Sequence, residues 1–305
     1  MGVTNYDVVQ ASAFIGGGVS DVGNVYWVNN APTATKGTEM IKRYGAVEYS
    51  DGTKMLVTSI AAAITNCKGG RNDYIIVGTG AYTLTALLDM AGKSSVHLIG
   101  QNGLTCNVGS VGAAALTQTG NYAVVNLDSY QELAGFQIVN LAAYGAVTWN
   151  GATSWRTNIH HNYFHMVNPG SSTTLVGSAS GNANSHGLIA KNVFRTFTGG
   201  AMEAVIGFGN GGAVDVIDNL IVHGTTQGAA NYGIYNQTAW SVTMGNVVSN
   251  GGNGTINIGI SSQLTGCVAN NRVMGCTTAI SGGTDEKSYS QNFSAAAGGS
   301  TALEA

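Results

Sequence analysis

Short apolar and β-branched segments recur along the second half of the chain, and each follows an asparagine. Six tetrapeptides begin with a strand-forming residue, continue with two variable residues and end with Asn. Successive asparagines are 30, 27, 27, 25 and 21 residues apart. A period of this length, built from short strands, predicts the coils of a β-solenoid, which stack because one coil cannot bury its apolar face alone. The tetrapeptides lie at 159–162, 189–192, 216–219, 243–246, 268–271 and 289–292.

Further apolar segments lie between the asparagine motifs, at 145–149, 204–206, 233–235 and 258–260. A helical repeat would instead place apolar residues at 3.6-residue spacing over ten or more positions, and this chain does not. Propeller blades need a longer period, about 40 residues or more. We therefore predict an all-β fold in which each period forms one coil of a parallel β-helix.

The recurring asparagines are predicted to stack at one corner of successive coils, which lie ~4.8 Å apart. Each side-chain amide can then bond along the stack and to the turn backbone, as identical Asn side chains do in cross-β structures. We interpret them as a structural ladder, with sugar or metal binding as the alternative. The predicted ladder consists of Asn162, Asn192, Asn219, Asn246, Asn271 and Asn292.

A short helix is predicted before the first coil. Leu56, Ile60, Ala63 and Ile64 follow the i, i+4, i+7, i+8 spacing of one helix face. A solenoid exposes its end coils unless a cap covers them, so this segment is interpreted as an N-terminal capping helix. The predicted organisation is a leader or attachment segment at 1–50, the β-helix at 51–293 and a C-terminal tail at 294–305.

The leader does not follow the coil pattern. Val25–Val28 resembles a strand, whereas 11–23 is rich in Gly and Ser. An apolar strand with no position in the coils would be exposed, and exposed apolar patches commonly mark interfaces. We interpret the leader as a segment that attaches to a partner or a neighbouring subunit. The alternative, that it packs along the side of the solenoid, stays open.

Composition narrows the class of partner. Charged residues make up 9% of the chain and the formal net charge is −3, without the basic stripe that follows a phosphate backbone. No apolar run reaches the about 20 residues that cross a bilayer, and the N-terminus lacks the basic and apolar regions of a signal peptide. We therefore predict cytoplasmic synthesis without a signal peptide, and no nucleic-acid or membrane partner.

The four cysteines show no CxxC spacing and are too few for a disulfide scaffold. We expect free thiols. A pairing of Cys267 with Cys276 on neighbouring coils is the alternative. The remaining two cysteines are Cys67 and Cys106.

Candidate chemistry is sparse. Glycoside hydrolysis needs two suitably spaced carboxylates, and a Ca²⁺-dependent lyase needs several acidic ligands beside a base. No group of three acids on neighbouring coils is predicted, and the histidines lack a tight ligand spacing such as HExxH. We therefore expect no metal site and no cofactor. The carboxylates between 74 and 284 are Asp89, Asp128, Glu132, Glu203, Asp215 and Asp218.

One polar row is predicted from the alignment of the coils. His161, Lys191 and Asp218 each precede a ladder asparagine, so their side chains should lie ~5 Å apart on successive coils. Glu203 and Asp215 could lie nearby. These five residues are the catalytic candidates if the protein is an enzyme. We expect instead a solvent-facing row of mixed charge, without catalysis.

The start of the predicted solenoid resembles that of known proteins. Residues 59–64, followed by 73–78 and 80–83, resemble the opening of the right-handed β-helix superfamily that includes pectate lyases, polygalacturonases and phage tailspikes. With 23–28 upstream, the arrangement is similar to β-helix proteins encoded by bacterial viruses beside their capsid genes. The resemblance runs from about Ser59 to Asn292 and implies a right-handed, single-stranded parallel β-helix. The polygalacturonase motifs Asn-Thr-Asp, paired Asp and Gly-His-Gly are absent, and no Arg stands beside an acid cluster as lyases require.

The resemblance and the scarcity of acids together predict a non-enzymatic virion structural protein of a bacteriophage, a capsid decoration or spike component. Its expected partners are itself, as a homotrimer, and a capsid or other virion protein. One alternative is a tailspike-type polysaccharide lyase or glycoside hydrolase. Another is an adhesin without catalysis, whose exposed aromatic rings bind a host surface glycan.

Overall fold

The fold is predominantly β, as predicted. In a computed structural model of the chain, three long sheets run through the described residues, and their strands pair in parallel apart from the last pair. This arrangement is consistent with a parallel β-helix solenoid. The described residues are 23–29, 42–101, 113–141, 143–149, 154–166, 173–178, 184–196, 201–209, 212–223, 229–238, 240–251, 255–262, 266–282, 289–296 and 299–300.

The first sheet contains eleven strands among the described residues, in the order β2-β1-β3-β6-β9-β13-β17-β20-β23-β26-β29. Their bounds are β1 Val25–Val28, β2 Leu56–Val57, β3 Asp73–Val77, β6 Val96–Gly100, β9 Glu132–Ala134, β13 Asn158–His160, β17 Gly187–Ala190, β20 Val214–Ile217, β23 Val242–Met244, β26 Cys267–Ala269 and β29 Tyr289–Ser290.

The second sheet contains ten described strands, from β4 at one edge to β31 at the other. Their bounds are β4 Gly80–Leu84, β7 Ala114–Gln118, β10 Phe136–Asn140, β14 Tyr163–Met166, β18 Val193–Thr196, β21 Leu220–His223, β24 Val247–Asn250, β27 Arg272–Met274, β30 Phe293–Ala296 and β31 Gly299–Ser300. The predicted tail therefore begins within β30, and β31 returns antiparallel to it; residues 301–305 lie outside the described part.

The third sheet contains eight described strands, and a separate pair, β12 with β16, joins two loops. The third-sheet bounds are β5 Leu88–Asp89, β8 Val125–Leu127, β11 Val147–Trp149, β15 Thr174–Ser178, β19 Met202–Phe208, β22 Ala230–Asn236, β25 Ile256–Ser262 and β28 Thr278–Gly282. The pair comprises β12 Ser154–Trp155 and β16 Asn184–Ser185.

A helix, α1 Ile60–Asn66, precedes the first coil. The Ser59 side chain accepts a hydrogen bond from the Ala62 N–H at 3.1 Å, which satisfies one of the N–H groups left open at a helix start. Ile60, Ala63 and Ile64 are buried, as the spacing predicted. Leu56 was wrongly included in the helix: it lies in β2 and pairs with Trp27 of β1.

Strand β1 belongs to the solenoid. It lies between β2 and β3 and pairs with both in parallel, and the side chains of Tyr26 and Val28 are fully buried. The expectation that Val25–Val28 has no position in the coils is therefore wrong, because alternation along the strand directs these two residues into the core. Residues 1–22 and 30–41 of the predicted leader lie outside the described residues.

A buried carboxylate fastens β1 to the first coil. Asp73 is completely buried and accepts hydrogen bonds from Arg71 Nε at 2.6 Å and Nη2 at 2.7 Å. The backbone N–H groups of Asn24 and Lys68 also donate to it, each at 2.8 Å. Arg71 Nη2 further donates to the Tyr26 hydroxyl at 2.9 Å. A buried charge is tolerated only when it is paired and hydrogen-bonded. The placement of the residues before β3 that donate to Asp73 and the placement of β3 itself therefore depend on each other.

The predicted ladder asparagines form a continuous hydrogen-bonded line. From Asn192 onward, the Oδ1 atom of each accepts from the backbone N–H and from Nδ2 of the asparagine on the preceding coil, as between Asn192 and Asn219 at 3.0 and 3.1 Å. Each Nδ2 also donates to a first-sheet carbonyl, such as that of Ile189 for Asn219. The line starts at Phe136, whose N–H donates to Asn162 Oδ1 at 3.0 Å, and it ends at Asn292.

Candidate functional site

The corner between the first and second sheets carries the predicted polar row. His161, Lys191 and Asp218 precede ladder asparagines and have φ values of 55°, 54° and 54°. The left-handed backbone at this corner turns the chain from one sheet to the next and directs these side chains away from the core. Lys191 and Asp218 are exposed. The three residues occupy the same position on successive coils.

The other candidates lie elsewhere. Asp215 is on the outer side of β20, where its Oδ1 accepts from the Val242 N–H at 2.9 Å. Glu203 is on the outer side of the third sheet and accepts from Asn231 Nδ2 at 2.9 Å. The structure therefore brings His161, Lys191 and Asp218 together on one corner but assigns Glu203 to a different sheet.

The outer side of the first sheet holds a second set of interacting titratable groups. Four polar or aromatic residues occupy equivalent register positions on strands β3, β6, β9 and β13. They are Tyr74, His97, Glu132 and Asn158. Each precedes an aliphatic residue that points into the core, so the alternation of the strands brings these four side chains to the outer surface.

Glu132 links two histidines on different coils. Its Oε2 atom lies 2.7 Å from His97 Nδ1, and its Oε1 atom lies 2.6 Å from His160 Nε2. The three side chains are mostly covered, with exposed fractions of 18% for His97, 21% for Glu132 and 23% for His160. Because an ionised carboxylate can only accept, each of the two facing ring nitrogens carries a proton.

The chain of hydrogen bonds continues at both ends. His97 Nε2 lies 2.8 Å from Asn72 Oδ1, and the His97 ring stacks on Tyr74 with centroids 4.3 Å apart. At the other end, His160 Nδ1 lies 2.8 Å from His161 Nδ1. We name the set of Asn72, Tyr74, His97, Glu132, His160 and His161 the Glu132 cluster; it spans four successive coils.

The electrostatics follow from these contacts. Burial raises the pKa of Glu132, but the hydrogen bonds from His160 and His97 outweigh it and bring the pKa down to about 2. Burial and the Glu132 charge raise the pKa of Tyr74 to about 12. Burial lowers the pKa of His161, and the neighbouring His160 and Lys191 lower it further. The cluster therefore holds its carboxylate ionised over the whole neutral range.

The cluster's polar atoms bind mainly to one another. Both oxygens of Glu132 and both ring nitrogens of His97 and His160 take part in its contacts. One hydrogen bond joins the Nδ1 atoms of His160 and His161, and the His161 Nε2 atom lies at the end of the chain of contacts. This arrangement cross-links coils, and it offers acid–base chemistry only at the His161 end.

No group of three or more His, Cys, Asp or Glu residues in the described part of the chain could hold a metal ion. Cys67, Cys267 and Cys276 are free thiols, with Cys267 exposed and the other two buried. Cys106 lies outside the described residues. A cleft of about 290 Å³ opens beside α1, lined by residues 58–61 and 82–88, and none of the Glu132 cluster lines it.

Exposed rings follow the opposite corner of the first sheet, where the chain enters from the third. Tyr130, His186 and Trp240 occupy equivalent positions with φ values near 60°. Tyr130 is 49% exposed and Trp240 is 78% exposed. Trp155, 45% exposed, lies beside His186 with ring centroids 6.0 Å apart. We name these four residues the aromatic row.

Comparisons with known proteins found no match: no protein-family model, no curated protein and no solved structure matches this chain. Among the described residues, no helix combines the length and the apolar character needed to cross a bilayer.

Proposed function

We propose that this chain is a non-enzymatic structural protein of a bacteriophage virion, a capsid decoration or spike component built as a right-handed parallel β-helix. In this proposal α1 closes the N-terminal end of the solenoid, and residues 1–22 with 30–41 provide attachment. The similarity of the opening segments to β-helix proteins encoded by bacterial viruses supports the viral assignment.

The observation that supports a structural role is that polar side chains hydrogen-bond to one another across successive coils. The asparagine ladder links six coils, and the Glu132 cluster links four. Groups that bond to each other across coils stiffen the rod, whereas a catalytic carboxylate must be available to a substrate. Both Glu132 oxygens are already bonded to histidines.

Co-sedimentation tests the virion assignment. The full chain is mixed with particles assembled from the major capsid protein encoded in the same genome, and the mixture is centrifuged through a density gradient. We expect the chain to migrate with the particles at a fixed ratio to the capsid protein. A chain that remains at the top of the gradient at every ratio would overturn the assignment.

An activity assay tests the non-enzymatic part of the proposal. The chain is incubated with polygalacturonate or host surface polysaccharide, with and without Ca²⁺. We expect no unsaturated or reducing ends. Release of either product, abolished by His161→Ala or Asp218→Asn, would favour the lyase or hydrolase alternative.

The aromatic row favours glycan binding as a second candidate function. Three large rings and one imidazole line this corner. Neighbouring coils lie ~4.8 Å apart, so rings on different coils are separated along the axis by that distance or a small multiple of it. Aromatic faces present apolar area together with polar edges. A glycan array tests this function. Binding that is abolished by Trp155→Ala and Trp240→Ala, but not by Trp149→Phe in the core, would establish glycan binding. An array without signal would exclude it.

A further inference from the structure

Two histidines that are adjacent in the sequence face each other at the corner after β13. The Nδ1 atom of His160 lies 2.8 Å from the Nδ1 atom of His161, and the ring centroids are 5.0 Å apart. Consecutive residues of a strand point to opposite faces, but the φ of 55° at His161 interrupts the strand. This left-handed backbone brings both imidazoles to the outer side of the coil, with one nitrogen of each directed at the other.

The hydrogen bond to Glu132 determines which nitrogen of His160 carries the proton. Glu132 Oε1 accepts from His160 Nε2 at 2.6 Å, so in the neutral imidazole the lone pair is on Nδ1. Histidines that bind metal ions in proteins almost always donate their other ring N–H to a carboxylate, a carbonyl or water, which fixes the tautomer and the ring orientation. Glu132 is held in turn by His97 at 2.7 Å. His160 Nδ1 is therefore oriented as a metal ligand would be.

The separation of the two Nδ1 atoms matches two ligands of one metal ion. Metal–imidazole bonds are about 2.0 Å long, so two nitrogens at right angles around one ion lie ~2.8 Å apart. Tetrahedral ligands, which Zn²⁺ prefers, would lie ~3.3 Å apart. Right angles are the geometry of tetragonal Cu²⁺, which is also the first-row divalent ion that nitrogen ligands bind most tightly. The observed distance of 2.8 Å therefore favours Cu²⁺.

One ring must turn before both nitrogens can bind the same ion. The centroid distance of 5.0 Å places the two nitrogens almost on the line between the rings, so their lone-pair directions oppose each other instead of meeting at one point. Rotation of the His161 ring about its Cβ–Cγ bond, which is a broad torsion, corrects this, and water can carry its proton to Nε2. His161 is partly exposed, and the two bonds of Glu132 are to His97 and His160, so the rotation does not break them.

We propose that His160 and His161 bind one Cu²⁺ ion through their Nδ1 atoms, with water in the remaining positions. This site goes beyond the proposed structural role and does not depend on it. It uses two protein ligands, so it is compatible with the finding that no group of three or more His, Cys, Asp or Glu residues in the described part of the chain could hold a metal ion. Lys191, at the equivalent corner of the next coil, is exposed, and its flexible stem lets the ammonium turn into solvent, away from a bound cation.

Electron paramagnetic resonance of the metal-free full chain, titrated with Cu²⁺, tests the site. We expect one tetragonal Cu²⁺ per chain, coupled to two imidazole nitrogens. His160→Gln and His161→Asn should each abolish the two-nitrogen spectrum; Asn is chosen at 161 because it tolerates the left-handed backbone. His186→Asn is the matched control, since His186 is exposed at another corner with a φ of 60°, and it should leave the spectrum unchanged.

Glu132→Gln distinguishes an oriented site from adventitious binding by two histidines. Glutamine keeps an oxygen that can accept from His160 Nε2, but it lacks the charge that raises the basicity of the ring. We expect the affinity for Cu²⁺ to fall about 10- to 100-fold, as for other groups that orient metal ligands, while the two-nitrogen spectrum is retained. Glu203→Gln, on the outer side of the third sheet, should bind Cu²⁺ as tightly as the wild type. Circular dichroism without metal establishes that each variant is folded.

Three results would overturn the proposal. A wild type that binds no stoichiometric Cu²⁺ would exclude the site. A two-nitrogen spectrum that persists in His160→Gln or His161→Asn would place the ion on other histidines. An unchanged affinity in Glu132→Gln would leave adventitious binding only. If loss of the Glu132 charge unfolds the chain, the His161→Asn comparison still tests the proposal, because this side chain lies at the end of the cluster.

Discussion

Asn246 Oδ1 accepts two hydrogen bonds from Asn219, one from its backbone N–H at 2.9 Å and one from its Nδ2 at 3.0 Å. Asn219 Oδ1 accepts in the same way from Asn192. One buried side chain therefore serves three coils. Removing it leaves buried donors and acceptors without partners, which costs more than the loss of one hydrogen bond.

Asn219→Ala should therefore destabilise the protein by about 1–3 kcal/mol. The measurement is the free energy of unfolding from urea titration followed by circular dichroism. Asn231→Ala, on the exposed outer side of the third sheet, is the matched control and should change stability by less than about 0.5 kcal/mol. Equal small effects at both positions would show that the ladder amides contribute no more than surface residues.

The Glu132 cluster predicts a loss of stability in acid. The folded pKa of Glu132 is about 2, below the about 4.3 of an unfolded glutamate. A lowered folded pKa gives stability that is present above the unfolded pKa and is lost as the pH falls through the folded one. The stabilisation, on the order of 2 kcal/mol, should therefore disappear between about pH 4.5 and 2.

Glu132→Gln isolates this contribution. The urea midpoint of the wild type should fall more steeply from pH 5 to pH 3 than that of the variant, while Glu203→Gln should follow the wild type. Parallel pH profiles for the wild type and Glu132→Gln would mean that the two imidazole contacts do not stabilise the carboxylate.

Arg71 and Lys68 offer a matched pair at the start of the solenoid. Both bind Asp51, at 3.4 and 3.1 Å, but Arg71 also neutralises the buried Asp73. Arg71→Ala should cost about 3–5 kcal/mol because it leaves a buried carboxylate without its cation. Lys68→Ala removes a side chain that is 60% exposed and should cost below about 1 kcal/mol. Thermal unfolding gives the comparison, and comparable losses would contradict it.

Removal of residues 2–50 should also destabilise the first coil, since it deletes β1 and the Tyr26 hydroxyl that Arg71 binds. Limited proteolysis of the truncated chain should show early cleavage between α1 and β3. A truncated chain as resistant as the full one would show that the first coil does not need β1.

Alanine substitutions at Gly135 and Gly92 distinguish the cost of backbone strain from the cost of a steric clash. Both have left-handed φ values, 73° and 70°. A Cβ at Gly135 would lie 2.2 Å from the Gly100 carbonyl oxygen, whereas a Cβ at Gly92 meets no described atom within 4 Å. Gly92→Ala should cost about 1 kcal/mol, and Gly135→Ala about 2 kcal/mol more because the backbone must move. The free energies of unfolding of the two variants, from chemical denaturation, test this difference. Equal losses would mean that the backbone around Gly135 moves without cost.

The sequence predicted the later coils better than the earlier ones, for a physical reason. From Asn162 onward an identical residue marks one corner, so the alignment of His161, Lys191 and Asp218 could be predicted from spacing alone. Before Asn162 the ladder position is taken by Phe136 and the corner by Gly135. These residues give no repeated signal.

The Glu132 cluster was therefore missed. His97 and Glu132 are 35 residues apart, and Glu132 and His160 are 28 apart, because the loops between strands differ in length. The available signal was the recurrence of a polar or aromatic residue directly before an inward aliphatic one, as in Tyr74-Ile75, His97-Leu98 and Glu132-Leu133. The position of β1 could not be predicted because its strand partners come 29 and 49 residues later in the chain.

The position of β1 between two neighbours determines how the molecule carries a mechanical load. Hydrogen bonds hold it on both sides, from the Trp27 N–H to the Met55 carbonyl at 2.8 Å and from the Tyr74 N–H to the Asn24 carbonyl at 2.9 Å. These bonds lie across the strand, so a pull on residue 23 along β1 loads all of them at once, whereas a terminal edge strand would be held on one side only. A tether joined to the N-terminal side of β1 would therefore transmit tension into a strand that is bonded on both sides, and the chain would resist extraction from the end by which it is held.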